Sequence, residues 1–115
     1  MTEPSIFTRI LNGDIPGEIL LDTERVFAIR DIDPQAPLHV LVIPKTERFR
    51  NVTELAAGDP GLLAELVATA QRIADEHANG EYRLIFNTGP SAAQSVFHVH
   101  AHVLGNFEEN KLVGF

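Results

Sequence analysis

Apolar residues recur along this chain with two periods, and the changes between them mark out its elements. Ile6, Phe7, Ile10 and Leu11 follow Ser5 at helical spacing and stop at Asn12-Gly13. Ser5 therefore reads as the N-cap of a short helix and Gly13 as its left-handed terminator. Ile15-Pro16-Gly17 is a turn. Two strand-like runs follow at 18–22 and 26–32, joined by Thr23-Glu24-Arg25 in the manner of a hairpin. The segment 33–37 interrupts them, because its two prolines bring no amide donor to a ladder. A third strand runs over 38–43 and stops at Pro44. Thr53 opens a short helical turn. Asp59-Pro60 has the form of an N-cap followed by proline at the first helical position. Leu63, Leu66, Val67, Ala70, Ile73 and Ala74 then keep a helical period through His77, and Asn79-Gly80 ends it. Residues 82–87 read as strand, 88–94 as loop and 95–104 as a last long strand, while the tail from Gly105 has no assignable pattern.

Short connections between consecutive strands favour antiparallel pairing, with the long helix lying on one face of the sheet. The expected fold is α+β: about five antiparallel strands with one long and one short helix, in a single domain over 1–115.

In the last strand, successive side chains point to opposite faces. His98, His100 and His102 would share one face, with Val99, Ala101 and Val103 on the other. The apolar face can rest on the core beneath the long helix, which leaves the imidazoles on the accessible side. Neighbouring histidines would lie ~6.6 Å apart at Cα and the outer pair ~13 Å apart. One zinc ion with Zn–N distances of ~2.0–2.1 Å can take two of them but not readily all three, so a metal would need His39 or a carboxylate as well. An extended ligand suits the row better. Neutral imidazole offers a nucleophilic nitrogen and the protonated form donates to anionic oxygens, and both exist near neutrality.

Composition narrows the classes. A chain of 115 residues with 44% hydrophobic and 22% charged residues is an ordinary globular protein. Its net charge of −7 argues against a nucleic-acid polymer as partner, although a single nucleotide can still bind to local backbone N–H groups and imidazoles. With no cysteine there is no disulfide or thiolate metal site. The N-terminus lacks a secretory pattern and no apolar run reaches membrane-spanning length, so the expected location is the cytoplasm, with no membrane partner.

The run from His98 to Leu104 matches the His-apolar-His-apolar-His-apolar-apolar signature of the histidine triad family. Ser5-Ile6-Phe7 with Ile10, Ile15-Pro16, the stretch from Asp31 to Lys45, and Gln94-Ser95-Val96-Phe97 resemble the Hint-like branch, so the likeness covers nearly the whole chain. The resemblance implies a homodimeric purine nucleoside phosphoramidase or nucleotidyl hydrolase that works through a nucleotidylated histidine and requires no metal, zinc being tolerated rather than essential. Its substrates would be AMP or GMP derivatives. By position, His100 would attack the α-phosphorus, His102 would stabilise the phosphoryl oxygens and His98 would brace its neighbours. His39 would bond to the nucleophile or phosphate side, and Ser95 would contact the phosphate and leaving group. Asn87 would hold the ribose–phosphate side and Asp31 the ribose hydroxyls. Ile6, Phe7, Ile10, Ile29 and Ile32 would clamp the purine, while Ala93 and Gln94 would border the phosphate. Taken alone, Asp31 could equally start a turn, and Ile6, Phe7 and Ile10 would be core. The chain departs from the family pattern at Ala92-Ala93, where the branch often has glycines, and in its tail. Alternative readings are a dinucleoside polyphosphate hydrolase, a nucleotide-binding scaffold and a metal-binding protein.

Overall fold

A computed structural model describes residues 3–108. Five strands form one antiparallel sheet, β1 (Ile19–Asp22), β2 (Val26–Arg30), β3 (Leu38–Pro44), β4 (Arg83–Ile85) and β5 (Ala101–Gly105), in the order β1-β2-β3-β5-β4. Three helices accompany it: α1 (Ile6–Leu11), α2 (Val52–Gly58) and α3 (Pro60–His77). The α+β class and the strand count agree with the sequence pattern. The turn expected at Thr53 is a full helix, because the Asn51 side chain accepts from Glu54 N and starts it two residues earlier. Ser5 caps α1 and Asp59 caps α3 through Leu62 N, as their positions suggest.

Alternation in β2, β3 and β5 gives the sheet two faces of different character. Val26, Ala28, Leu38, Val40, Val42, Ala101 and Val103 point to one side and pack with Leu62, Leu66, Ala70 and Ile73 of α3. Each fully buried Val, Leu or Ile side chain there contributes about 1.5–3 kcal/mol relative to exposure. The opposite face holds a smaller cluster, Phe7, Phe27, Ile29, Leu41 and Ile43, with Ile10, Leu11 and Val96 at its margin. Helix α1 covers only part of that face. The remainder is where the histidines lie.

Two strands are shorter than their sequence suggests. The run over 82–87 forms ladder bonds only over Arg83–Ile85. The long strand expected over 95–104 is a strand only from Ala101 onward, so His98 and His100 precede it. The physical reason lies in the neighbour. β3 pairs with β5 from Leu38↔Gly105 to Val42↔Ala101 and ends at Pro44, which has no N–H to continue the ladder. Side chains hold residues 94–100 instead. Gln94 Nε2 donates to Arg50 O at 2.6 Å and to Val96 O at 3.1 Å, while its Oε1 accepts from Gly89 N at 2.8 Å. Val99 N donates to Phe49 O at 3.0 Å. Among the described residues no helix is long and apolar enough to cross a membrane.

Candidate active site

The loss of the ladder makes the three histidines unequal. His98 is 1% exposed, which corrects the expectation that all three imidazoles line an accessible surface. Its Nε2 lies 2.7 Å from Pro44 O and its Nδ1 2.5 Å from Ser5 Oγ. A carbonyl only accepts, so Nε2 carries the proton and neutral His98 accepts a hydrogen bond from the Ser5 hydroxyl at Nδ1. Burial pushes its pKa below the usual imidazole value, against the raising effects of the Pro44 carbonyl and Glu47.

His100 has a different partner. Its Nδ1 lies 2.8 Å from His98 O, so Nδ1–H donates there and the neutral ring keeps its lone pair on Nε2. Burial is the main reason its pKa falls below the ordinary value, with the His98 carbonyl opposing it and the His98 ring adding to it. The Phe7 ring meets His100 edge-on with centroids 4.7 Å apart and fixes the plane of the imidazole. A half-buried, neutral imidazole with an oriented lone pair can act as a nucleophile near neutrality.

His102 and His39 form a second unit. His39 Nδ1 accepts from Gln35 N at 3.0 Å, so its Nε2 carries the proton and donates to His102 Nδ1 at 2.9 Å. The tautomer of His102 follows: its own proton sits on Nε2, a donor for an anionic oxygen. Burial, then the nearby His100 and His39, push the pKa of His102 down to about 4. His39, 6% exposed and on the strand face it shares with Leu41 and Ile43, is buried as a core histidine would be, yet it is bonded into the histidine row. Gln35, whose backbone sets this chain of protons, has a role that no side-chain pattern could announce.

Asp31 Oδ1 accepts from Asp33 N at 2.8 Å, so this residue does start a turn. Its Oδ2 lies 3.4 Å from His39 Nε2. Among the described residues, Asp31, His39 and His102 bring one carboxylate oxygen and two imidazole nitrogens within 4.8 Å of one another. That donor set is compatible with a zinc ion, which would have to replace the His39–His102 hydrogen bond.

Beside the histidines is an apolar cavity of about 140 Å³ lined by Ile6, Phe7, Ile10, Ile29, Asp31 and Ile32. These six sequence-predicted residues meet in one place. Ile32 is 92% exposed and Ile6 45%, so the mouth of the cavity is apolar and open, whereas Phe7 and Ile29 form its buried floor. Ile15, Pro16 and Leu41 also line it. The sequence reading does not place these three at the cavity, although the Ile15-Pro16 turn and the alternation of β3 carry the signal.

The loop before the triad carries the remaining residues. Asn87 Nδ2 donates to Ala92 O at 3.0 Å and pins a short 3-10 turn, Pro90–Ala92. Ala93 has φ 68° and ψ 23°, the left-handed conformation that glycine adopts without cost. It therefore keeps the conformation a glycine would take. Its N–H donates to Pro90 O at 3.0 Å and the Gln94 N–H to Gly89 O at 3.0 Å, so both amides are engaged within the loop. Ser95 is exposed and lines a separate surface cavity with Ile6, Glu47 and Phe97, adjoining the first through Ile6.

Comparison with known proteins fits this geometry. A family model described as the HIT domain matches residues 12–109. A purine nucleoside phosphoramidase of Escherichia coli strain K12 is 38% identical over 107 residues, covering 91% of this chain and 89% of that protein. A 14 kDa zinc-binding protein of Zea mays is 40% identical over 111 residues, covering 93% of this chain and 85% of its own. Among solved structures, a HIT family hydrolase from Clostridium thermocellum superposes with a TM-score of 0.87 at 37% identity, covering 98% of this chain and 99% of the other.

Proposed function

The chain belongs to the HIT domain family, and from that premise we propose that it hydrolyses purine nucleoside 5′-phosphoramidates through a nucleotidyl-histidine intermediate on His100. The observation that carries the reading is the tautomer of His100. Its Nδ1–H is committed to His98 O at 2.8 Å, which leaves Nε2 to attack phosphorus.

In this mechanism the purine enters the apolar cavity and Asp31 accepts hydrogen bonds from the ribose hydroxyls. His100 Nε2 forms a bond to the α-phosphorus as the P–N bond breaks, and the departing nitrogen takes up a proton from solvent and leaves as an amine. The imidazole gains positive charge in the adduct, and the Nδ1–H bond to the His98 carbonyl stabilises it. His102 donates Nε2–H to a non-bridging oxygen as charge builds there. Water then attacks phosphorus from the vacated side and gives a proton to solvent as the P–Nε2 bond breaks, releasing the nucleoside monophosphate and restoring neutral His100. Splitting the reaction in two lowers each barrier. Ser95 stands on the leaving-group side, and Asn87 shapes the phosphate loop. The similarity to the Escherichia coli phosphoramidase supports the choice of substrate class. The reading extends to a homodimer, which the family resemblance implies, and to the cytoplasm, in keeping with a cysteine-free chain.

The cluster of Asp31, His39 and His102, with the zinc-binding name of the maize relative, favours a second reading in which zinc occupies that cluster. Bound there, a zinc ion would supply Lewis-acid polarisation of a phosphoryl oxygen. Turnover of adenosine 5′-phosphoramidate and of diadenosine polyphosphates by wild type and His100→Ala, with and without chelator, separates the readings. The proposal expects phosphoramidate turnover that survives chelation and disappears in His100→Ala. Activity lost on chelation and restored by zinc would replace it with the metal reading. Preferential cleavage of the polyphosphates would change the substrate class.

A further inference from the structure

The hydrogen bond between Ser5 and His98 joins the N-terminal helix to the histidine row across 93 positions of sequence. Ser5 uses every polar group it can bring. Its N–H donates to Glu47 Oε1 at 2.8 Å, just beyond the end of β3. Its hydroxyl oxygen accepts from Thr8 N at 3.2 Å and so caps α1. Thr8 Oγ1, 3.4 Å away, can also donate to that oxygen, because the single hydroxyl proton of Ser5 is directed at His98 Nδ1.

The far end of this chain of bonds is the nucleophile. His98 Nε2–H is fixed on Pro44 O, and His98 O receives the Nδ1–H of His100. Residue 98 lies at a bend, outside any strand. Its backbone is therefore positioned by what its ring holds. Two residues along α1, Phe7 packs against the rings of both His98 and His100, with centroids 5.8 Å and 4.7 Å apart.

We infer that Ser5 is a positioning residue for His100: its hydroxyl locks His98 in the Nε2–H tautomer and in place, so that the His98 carbonyl meets the Nδ1–H of the nucleophile. The inference rests on the phosphoramidase reading for its effect on rate but not for the tautomers themselves. It also gives α1 a second task, since the helix that lines the base cavity with Ile6, Phe7 and Ile10 is bolted at its N-cap to the catalytic row.

Three variants test it. Ser5→Ala removes the donor. Ser5→Asp keeps an N-cap for α1 but presents only an acceptor to His98 Nδ1. Ser5→Thr keeps both functions of the hydroxyl. Long-range proton–nitrogen correlation spectra of the free protein should show His98 protonated at Nε2 and bare at Nδ1 in wild type and Ser5→Thr. In Ser5→Asp a proton should appear on Nδ1 at neutral pH and the His100 Nδ1–H signal should shift. With adenosine 5′-phosphoramidate, kcat should fall about 3- to 10-fold in Ser5→Ala and Ser5→Asp, the scale of one hydrogen bond, and recover most of that loss in Ser5→Thr. A bare Nε2 on His98 in wild type, or unchanged kcat in both Ser5→Ala and Ser5→Asp, would overturn the inference. If wild type turns over no phosphoramidate, the functional reading fails and the spectra alone decide the role of Ser5.

Discussion

The two faces of the sheet are built from the same strands in alternation, yet they do different work. On the α3 face, Val40 and Val42 meet Leu66 and Ile73, and all four are essentially inaccessible. On the opposite face the neighbouring residues of the same strand, His39 and Leu41, meet other imidazoles and an open apolar cavity. The first face is closed by an 18-residue helix and the second by one of 6 residues that leaves part of it bare. A continuous core secures the sheet from one side. Burial on the other depresses the pKa of His98, His100 and His102 and so costs stability in acid, a cost that the apolar packing on the α3 face offsets.

This division can be broken from either side. Leu66→Ala should cost about 2–5 kcal/mol in denaturant unfolding while leaving the KM of the residual folded enzyme unchanged, since the cavity it makes lies away from the histidines. A changed KM would mean that the two faces are coupled. Asp31→Asn, on the other side, should raise KM for a ribonucleotide substrate by about 10-fold or more, the value of hydrogen bonds to a charged acceptor, while a 2′,3′-dideoxy substrate should show no such rise.

Acid separates the faces further. Free imidazole takes a proton below its ordinary value of 6.5, whereas folded His102 does so only near 4, and His98 and His100 are shifted in the same direction. Between those pH values the unfolded chain binds more protons than the native one. Stability should therefore decline as pH falls from about 6.5 towards 4. In His102→Asn the slope over that interval should be shallower. With His100 as the proposed nucleophile, the acid limb of the rate profile should lie below the ordinary imidazole range, because burial holds the His100 pKa down.

The smallest expected effect concerns the loop. Ala93 holds a left-handed φ of 68°, which costs a non-glycine residue about 1 kcal/mol. Ala93→Gly should stabilise the fold by up to that amount, offset by the entropy glycine adds to the unfolded chain. A calorimetric melt showing marked destabilisation would mean that the alanine methyl makes a contact the loop needs.

These contrasts show what a sequence can express. Helical spacing in α3 and alternation in β2 and β3 are local signals, and each named its element to within a residue or two. The end of β5 pairing was not legible, because it depends on Pro44 of another strand, 57 positions away from the paired Ala101. The same holds for the histidines. Spacing put His98, His100 and His102 on one face, yet their protonation is set by Pro44 O, His98 O and the Gln35 amide, which are backbone groups with no mark in the sequence. Family resemblance brings together six of the cavity residues, since Ile6, Phe7 and Ile10 by periodicity alone belong to a core. Phe7 is both, a buried core ring and the edge against which His100 rests.

In the proposed mechanism His100 carries the nucleotide between the two half-reactions. Rapid quench of the protein with a purine nucleoside phosphoramidate at neutral to alkaline pH, followed by intact-mass measurement and peptide mapping, addresses it directly. A nucleoside-monophosphate adduct is expected on the peptide containing His100, present in wild type and missing from His100→Ala. An adduct that persists in His100→Ala, or turnover in that variant at the wild-type rate, would contradict it.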